Sequence, residues 1–308
     1  MSGRLRLATG ETSERLGDPD LVRRTLRLLA CEIELDVDCD RLERGLGWMA
    51  ANALQSMEIT RRHRLTVRRR DEGYAIDCDG EAVSWEPEPG QAAVRLSSLA
   101  HELALAALPD PTRVHAGCVD SPAGRFLVVG ERGAGKTTLL TRLMFEEGFA
   151  VRSDELALLT SGVVTPFPRR FRLRPPTSRL VPQLAGVPGV LAYEDDAWGG
   201  ITFVDPSDLG AEWRIDAATV GAIFFLVPAH DGGSRLEGCS RVEAARLLMT
   251  QSAGPAGGAE RWLDDVCTLA ASSLCYRLIL GNLDQAVDAA RVGLAPLCGA
   301  AARQGGTS

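Results

Sequence analysis

Nine residues, Gly130–Thr138, restrict the fold of this chain more than any other part of the sequence. They read Gly-Glu-Arg-Gly-Ala-Gly-Lys-Thr-Thr and match the pattern G-x-x-x-x-G-K-[ST], in which backbone N–H groups surround phosphates at the start of a helix. The apolar run Phe126–Val129 before the loop predicts a buried strand, and the amphipathic run Thr138–Met144 after it predicts a helix. A strand that leads into such a loop and a helix that leaves it predict an α/β fold.

Each part of the loop has a physical role. The glycines permit backbone turns that are closed to other residues, so that several N–H groups can point at one anion. The helix that follows adds the positive end of its dipole. The lysine supplies a mobile charge for the β- and γ-phosphates, and the hydroxyl of the next residue, Thr137, is a ligand for Mg²⁺. The predicted nucleotide-binding residues are Gly130, Gly133, Ala134, Gly135, Lys136, Thr137 and Thr138.

Lys136 is the only lysine in a chain with 34 Lys and Arg residues. The chain therefore uses arginine at every other cationic position. A compact ammonium fits among phosphate oxygens, whereas a flat guanidinium does not. The position of the single lysine indicates a site at which the shape of the cation matters, and we predict that Lys136 takes part in catalysis.

The bulk composition excludes several classes of protein. A net charge of −7 argues against a nucleic-acid partner, which requires a basic surface. The longest apolar run, Val220–Val227, is the length of a strand and too short to cross a membrane. The first residues contain no apolar signal core, and the cysteines form no Cys-x-x-Cys pair. These features predict a cytoplasmic protein without a nucleic-acid or membrane partner.

The chain divides into two domains at the breaker Pro109-Asp-Pro111, which follows a predicted helix at Val94–Leu108. We predict an N-terminal accessory α+β domain at 1–110, a catalytic domain at 111–298 and a disordered tail at 299–308. The other elements predicted for the first domain are a strand at Arg4–Ala8, a helix at Pro19–Ala30 and a β-hairpin formed by Arg64–Arg70 and Gly73–Cys78. In the second domain a strand is predicted at Arg113–Val119 and a last helix at Leu283–Val292.

Two acids follow the predicted strand Phe149–Arg152 in the sequence Ser153-Asp154-Glu155. A phosphoryl-transfer site needs a carboxylate for Mg²⁺ and an acceptor for the proton of the nucleophile. Asp154 is the first candidate and could hold the metal, act as base, or do both. Glu155 would point to the opposite side of an extended chain, so that the two acids would have different roles. The alternative is that both are ordinary turn residues.

His115 lies on the strand before the loop, in the sequence Val114-His-Ala-Gly. A single histidine in a strand is commonly a structural residue, and a ring nitrogen near a transferred phosphate is the functional alternative. The sequence alone leaves both open.

Together these residues resemble the HPr kinase/phosphorylase superfamily, in particular its shorter relatives that act as serine kinases on peptides. The resemblance covers about residues 112–293. The matching pieces are His115-Ala-Gly, the loop Gly130–Thr138, Ser153-Asp154-Glu155, Cys275-Tyr-Arg-Leu and Asn282-Leu-Asp-Gln-Ala-Val.

The resemblance implies a P-loop kinase domain with a mixed sheet, similar to phosphoenolpyruvate carboxykinase. It implies ATP and Mg²⁺ as cofactors and transfer to a serine hydroxyl. Lys136 and Thr137 would bind phosphate and metal, and Asp154 would correspond to the second of the family's tandem aspartates and would also hold the metal. His115 would correspond to the histidine near the transferred phosphate. Members of the family are often oligomeric, so that a homo-oligomer is also compatible with the resemblance.

Ser153 departs from the family pattern, because members that act on HPr carry an aspartate at this position. Either the role of that first acid is lost or Glu155 takes it, and a phosphorylase activity does not carry over. The expected function is thus transfer of the γ-phosphate of ATP to a serine of a peptide or protein acceptor. The alternatives are a small-molecule kinase on the same scaffold and a regulatory nucleotide-binding module without transfer.

A basic segment follows the acidic motif and contains Arg169, Arg170, Arg172 and Arg174. In an extended segment the alternation Arg-Phe-Arg-Leu-Arg puts the last three of these arginines on one face. That face could bind nucleotide phosphates or an acidic acceptor, or it could be a solvated strand face in an arginine-rich chain.

Overall fold

The structure is a computed structural model that describes residues 22–38, 53–70, 72–187, 191–193, 201–229, 232–255 and 258–304. The predicted strand at Arg4–Ala8 lies outside the described residues. The chain forms two compact units with a boundary between Ala107 and Leu108, and the segment Asn52–Met57 belongs to the second unit. Among the described helices, none combines the length and apolar character needed to cross a membrane.

The described residues of the first unit form a five-stranded sheet and one helix, α1 (Pro89–Ala106). Its strand order is β1-β2-β4-β5-β6; β2 and β4 pair in parallel and the other neighbours pair antiparallel. The helix α1 buries Ala92, Leu96 and Ala100. The first six strands and this helix are β1 (Val22–Leu28), β2 (Cys31–Val37), β3 (Leu54–Gln55, in the second unit), β4 (Arg61–Arg70), β5 (Gly73–Cys78), β6 (Glu81–Glu86) and α1 (Pro89–Ala106).

The predicted helix at Pro19–Ala30 is wrong, because Val22–Leu28 forms strand β1. Leu26 and Leu28 are buried while Arg27 between them is exposed, which is the two-residue period of a strand. Leu28 pairs with Cys31 across a tight turn, and pairing with the neighbouring strand β2 therefore decides the conformation over the helical spacing of the leucines. The predicted hairpin of β4 and β5 is confirmed, with Arg70 opposite Gly73.

The second unit is mixed α/β. Its elements up to residue 187 are β7 (Thr112–Val114), β8 (Ala116–Ser121), β9 (Gly124–Val129), α2 (Lys136–Leu143), β10 (Ala150–Ser153), β11 (Ala157–Thr160), β12 (Val163–Pro166), β13 (Phe171–Leu173), α3 (Pro175–Leu180) and a 3-10 turn at Pro182–Leu184. The later elements are β14 (Leu191–Tyr193), β15 (Ile201–Val204), a 3-10 turn at Pro206–Leu209, β16 (Arg214–Ile215), β17 (Ala218–Pro228), β18 (Arg235–Gly238), α4 (Arg241–Thr250), β19 (Ser252–Ala253), α5 (Ala259–Ser272), β20 (Leu274–Leu280) and α6 (Leu283–Gln304).

A large mixed sheet forms the centre of this unit. Strand β9 pairs in parallel with β17 and antiparallel with β8, and β17 pairs in parallel with β20. Strand β10 pairs antiparallel with the other side of β8, so that one strand separates β10 from β9. The first residues of β17 pair with β12, which continues through β11 and β7 to β19.

Side chains of β9 alternate between two hydrophobic cores, one on each face of the sheet. Phe126 and Val128 belong to a core that contains Leu140 of α2, while Leu127 and Val129 belong to a second core. A strand that is buried on both faces is apolar throughout, and this explains the unbroken run before the loop. The sheet thus fixes the start of the loop rigidly between two packed layers.

Two predicted boundaries change. The strand predicted at Arg113–Val119 is two strands, because His115 interrupts the ladder between β7 and β8, and these strands pair with different neighbours. The last helix α6 continues through residues 299–304, which were predicted to be a disordered tail, because the run Ala300-Ala-Ala favours helix. Residues 305–308 lie outside the described residues.

Candidate nucleotide-binding site

The loop between β9 and α2 requires glycine for conformational and steric reasons. Gly133 and Gly135 have φ angles of 84° and 95°, in the left-handed region that other residues avoid. A Cβ atom on Gly135 would also lie 2.6 Å from Cδ2 of Leu280, at the end of β20. The backbone at the start of α2 therefore takes a shape that only a glycine-rich sequence permits.

Lys136 is the first residue of α2 and its side chain folds back over the loop. The side chain is buried, and its Nζ donates hydrogen bonds to the carbonyl oxygens of Gly130 at 2.7 Å and Glu131 at 3.4 Å. Burial lowers the pKa of the ammonium, while the charges of Asp154 and Glu155 oppose that change. The ammonium thus rests on carbonyl oxygens of the loop, and these are contacts that phosphate oxygens can replace.

Thr137 joins the loop to the acidic motif. Its hydroxyl donates a hydrogen bond of 2.8 Å to Oδ2 of Asp154, and its carbonyl oxygen accepts one of 2.6 Å from the hydroxyl of Thr141. The helix therefore fixes the backbone of Thr137, and Asp154 fixes the direction of its hydroxyl group. This hydrogen bond links Thr137 of α2 to Asp154, the residue that follows β10.

Asp154 is a buried acid. The residue is 5% exposed, and its Oδ1 has no hydrogen-bond partner among the described residues. Burial raises the pKa of this carboxyl to about 7, against the hydrogen bond from Thr137 and the charge of Lys136, which both lower it. An unsatisfied carboxylate oxygen beside a hydroxyl oxygen is the kind of ligand set that Mg²⁺ takes, so these residues fit a metal ion.

Glu155 has different surroundings from its neighbour. Its side chain is 42% exposed and forms an ion pair with Arg169. It lines the cavity in front of the loop, whereas Asp154 does not and is separated from that space by Thr137. The two acids therefore occupy different positions relative to the cavity.

His115 faces the same cavity from the break between β7 and β8. Its backbone N–H donates to the carbonyl oxygen of Gln251 at 2.7 Å, and its Nδ1 lies 3.3 Å from Oε1 of the same glutamine. Burial, together with the charge of Lys136, lowers the pKa of the imidazole, which therefore stays neutral at neutral pH. Gly117, two residues later, is required because a Cβ there would lie 2.2 Å from Leu140 of α2.

The cavity has a volume of about 390 Å³. The predicted residues that line it are His115, Gly133, Gly135, Lys136, Thr137, Thr138 and Glu155. The predicted residues that do not are Gly130, Ala134 and Asp154. Gly130 nevertheless binds Lys136 through its carbonyl, and Asp154 binds Thr137 through its carboxylate. Most of the predicted residues therefore line the cavity, and Gly130 and Asp154 contact the lining residues Lys136 and Thr137 from outside it.

Arg172, Arg174 and Thr177 also line the cavity. The hydroxyl of Thr177 lies 3.1 Å from that of Thr138, and this contact joins α3 to the start of α2. Sequence reasoning missed Thr177, because it follows two prolines in a stretch without a recognisable motif. The arginines carried a detectable signal, which was their alternation with the apolar residues of β13.

Ser153 is fully buried, and its hydroxyl has no hydrogen-bond partner among the described residues. A carboxylate at this position would be buried as well, at the bulged end of β10 beside β8. The first position of the acidic motif thus offers a hydroxyl and no charge.

No protein-family model matches this chain, and no curated protein shows significant similarity to it.

Proposed function

We propose that this chain is an ATP-dependent kinase that transfers the γ-phosphate to a serine hydroxyl of a peptide or protein. The observation that carries the proposal is the hydrogen bond between Thr137 and Asp154, which links the hydroxyl of a phosphate-binding loop to a buried acid. His115 and Glu155 line the same cavity as the loop. The cavity therefore has groups for binding the donor and groups for handling the proton of the acceptor.

The loop accounts for binding of the triphosphate. Backbone N–H groups around Gly133 and Gly135 can point at phosphate oxygens, and Lys136 can exchange its carbonyl contacts for them. Thr137 and Asp154 would hold Mg²⁺, directly or through water. When bound, the metal supplies positive charge that offsets the charge of the phosphates.

The transfer step needs an acceptor for a proton. The serine oxygen forms a bond to the γ-phosphorus, the bond from that phosphorus to the β–γ bridging oxygen breaks, and ADP leaves. We assign the hydroxyl proton to Asp154, which it reaches through the hydroxyl of Thr137, because Thr137 lines the cavity and hydrogen-bonds to that acid. A pKa of about 7 suits a group that gains and loses a proton near neutral pH. Lys136 stabilises negative charge on the transferred phosphoryl group. The neutral imidazole of His115 can form a hydrogen bond with that group through a ring nitrogen.

The test is transfer of labelled γ-phosphate from ATP to serine peptides in the presence of Mg²⁺. The variant Lys136→Ala is expected to lose transfer, since it removes the charge that contacts the phosphates. Arg179→Gln is the matched control, because Arg179 is exposed and does not line the cavity. Undiminished transfer by Lys136→Ala would refute the assigned site.

A nucleotide-binding module without transfer is the second candidate. The observation that favours it is the position of Asp154 behind Thr137, where burial keeps a large fraction of the acid protonated at neutral pH. For such a module we expect tight binding of ATP and no phosphorylated product from any peptide or metabolite. Release of ADP with a metabolite and not with peptides would instead indicate a small-molecule kinase.

A further inference from the structure

Four arginines follow the acidic motif, and the structure divides them into two pairs. Arg169 forms an ion pair with Glu155, and the buried Arg170 forms ion pairs with two aspartates of the 3-10 turn region. The other pair, Arg172 and Arg174, lines the cavity. Acids of the protein thus hold Arg169 and Arg170, and Arg172 and Arg174 line the space that a substrate would occupy.

The pattern of strand β13 determines the direction of Arg172. Phe171 and Leu173 on either side of it are fully buried in the core that also contains Val204. Because successive side chains of a strand point to opposite faces, Arg172 points away from that core and into the cavity. Among the residues that the structure describes, no carboxylate forms an ion pair with Arg172.

The donor does not need these arginines. The glycine-rich backbone, Lys136 and Thr137 already provide contacts for a triphosphate and its metal in the same cavity. The hydroxyls of Thr138 and Thr177 join the start of α2 to the helix that follows the two arginines. Two guanidinium groups that line the cavity beside the loop are thus suited to a second anion. A planar guanidinium binds carboxylate or phosphate with two parallel hydrogen bonds.

We propose that Arg172 and Arg174 bind an acidic group of the acceptor, a carboxylate or phosphate group next to the hydroxyl that receives the phosphoryl group. This inference rests on the proposed kinase function and names the class of its substrate. The arginines hold the acceptor through its charge, so that its hydroxyl faces the loop. The enzyme is accordingly selective for serines with an acidic neighbour.

The experiment uses a library of serine peptides in which Asp or Glu is compared with Asn or Gln at each position from two before to two after the serine. At one position the wild type is expected to prefer the acid by about 10–100-fold in kcat/KM, which is the range for hydrogen bonds to charged groups. Arg172→Gln and Arg174→Gln are expected to lose that preference. Their activity on the acidic peptides is expected to fall much more than their activity on the amide peptides, while their Kd for ATP stays within about threefold of the wild type.

Two controls accompany these variants. Arg179→Gln removes an exposed arginine of α3 that does not line the cavity and is expected to keep the acid preference. Arg172→Lys keeps the charge without the planar fork and is expected to retain part of the preference. If instead the affinity for ATP falls as much as kcat/KM while the acid preference persists, the arginines bind the nucleotide and the inference is overturned.

A binding measurement separates this inference from the kinase function. Fluorescently labelled acidic and amide peptides are titrated into the protein with a non-hydrolysable ATP analogue, and anisotropy reports binding. Acid-dependent binding that Arg172→Gln abolishes, without transfer in any assay, supports the acceptor site and refutes the kinase. Transfer without acid preference supports the kinase and refutes the acceptor site. Equal binding of acidic and amide peptides also refutes the acceptor site.

Discussion

Asp154 and Glu155 are adjacent in the chain and have opposite surroundings. Asp154 is 5% exposed, contacts the hydroxyl of Thr137 and has a pKa raised to about 7 by burial. Glu155 has a 42% exposed side chain that pairs with Arg169 at the edge of the cavity. The difference separates the site into a buried half around Asp154, where we propose that a proton and a metal are held, and an open half around Glu155, which the proposed acceptor would enter.

The two halves should respond differently to substitution. In the buried half, Lys136 and Asp154 act at low effective dielectric, where each electrostatic contact is strong. In the open half, Glu155 and Arg169 are screened by solvent, and an exposed ion pair contributes little. Variants of the buried half are therefore expected to have the larger effects.

Lys136→Arg should have the largest effect. It keeps the charge but places a planar guanidinium where Nζ now fits against the carbonyls of Gly130 and Glu131. We expect transfer to fall by about a thousandfold, as much as for Lys136→Ala, since misplaced charge does not stabilise the transition state. Labelled transfer and calorimetric ATP binding measure this, with thermal melting as the control for folding. Recovery of more than about a tenth of the activity would show that charge alone suffices there.

Asp154→Asn comes next, with an expected loss of transfer of about a hundredfold, in the range of a lost general base. Because the pKa of Asp154 is raised to about 7, its carboxyl is protonated below that pH and becomes an active carboxylate above it. The kcat/KM of the wild type should therefore rise with pH through about 7, and the rise should be absent in Asp154→Asn. If Glu155→Gln removes the rise instead, the base belongs to the open half.

Local sequence determined the predictions that the structure confirms. The apolar run of β9 and the helix after the loop form as predicted, because their signals lie within a few residues. The strand β1 was predicted as a helix from the spacing of its leucines, although its partner β2 follows across a tight turn. Pairing with that strand, which the helical spacing does not report, decided the conformation of β1.

The arrangement of the site was harder to predict from the sequence than the identity of its residues. The sequence indicates that Asp154 follows a strand, but the insertion of β8 between β9 and β10 is a property of the whole sheet. That insertion and the packing of Thr137 over the acid decide which residue meets the cavity. The break at His115 depends in the same way on the backbone of Gln251, far away in sequence.

The difference in stability between Asp154→Asn and the wild type should depend on pH. The folded state raises the pKa of this carboxyl from 3.8 to about 7, so the folded protein binds its proton more tightly than the unfolded chain does. That stabilisation is complete below about pH 4 and is lost as the pH rises through about 7. Asparagine does not ionise, so the variant should be more stable than the wild type at pH 8 by roughly 1–3 kcal/mol.

Urea unfolding at pH 5 and pH 8 measures this difference, which should shrink toward the lower pH. Asp284→Asn is the control, because the side chain of Asp284 is 77% exposed. If Asp154→Asn instead loses the same stability at both pH values, the fold requires the carboxyl group of Asp154. That result would contradict the prediction that ionisation of this buried acid destabilises the wild type.

Glu155→Gln should have the smallest effect of the series. It breaks a half-exposed ion pair with Arg169, and we expect transfer to change by less than about tenfold and ATP affinity to stay constant. A double-mutant cycle with Arg169→Gln should give a coupling of less than about 1 kcal/mol, since solvent screens the pair. A loss near that of Asp154→Asn would place the proton on Glu155 and would exchange the roles of the two halves, because the exposed acid would then perform the chemistry and the buried one would only position Thr137.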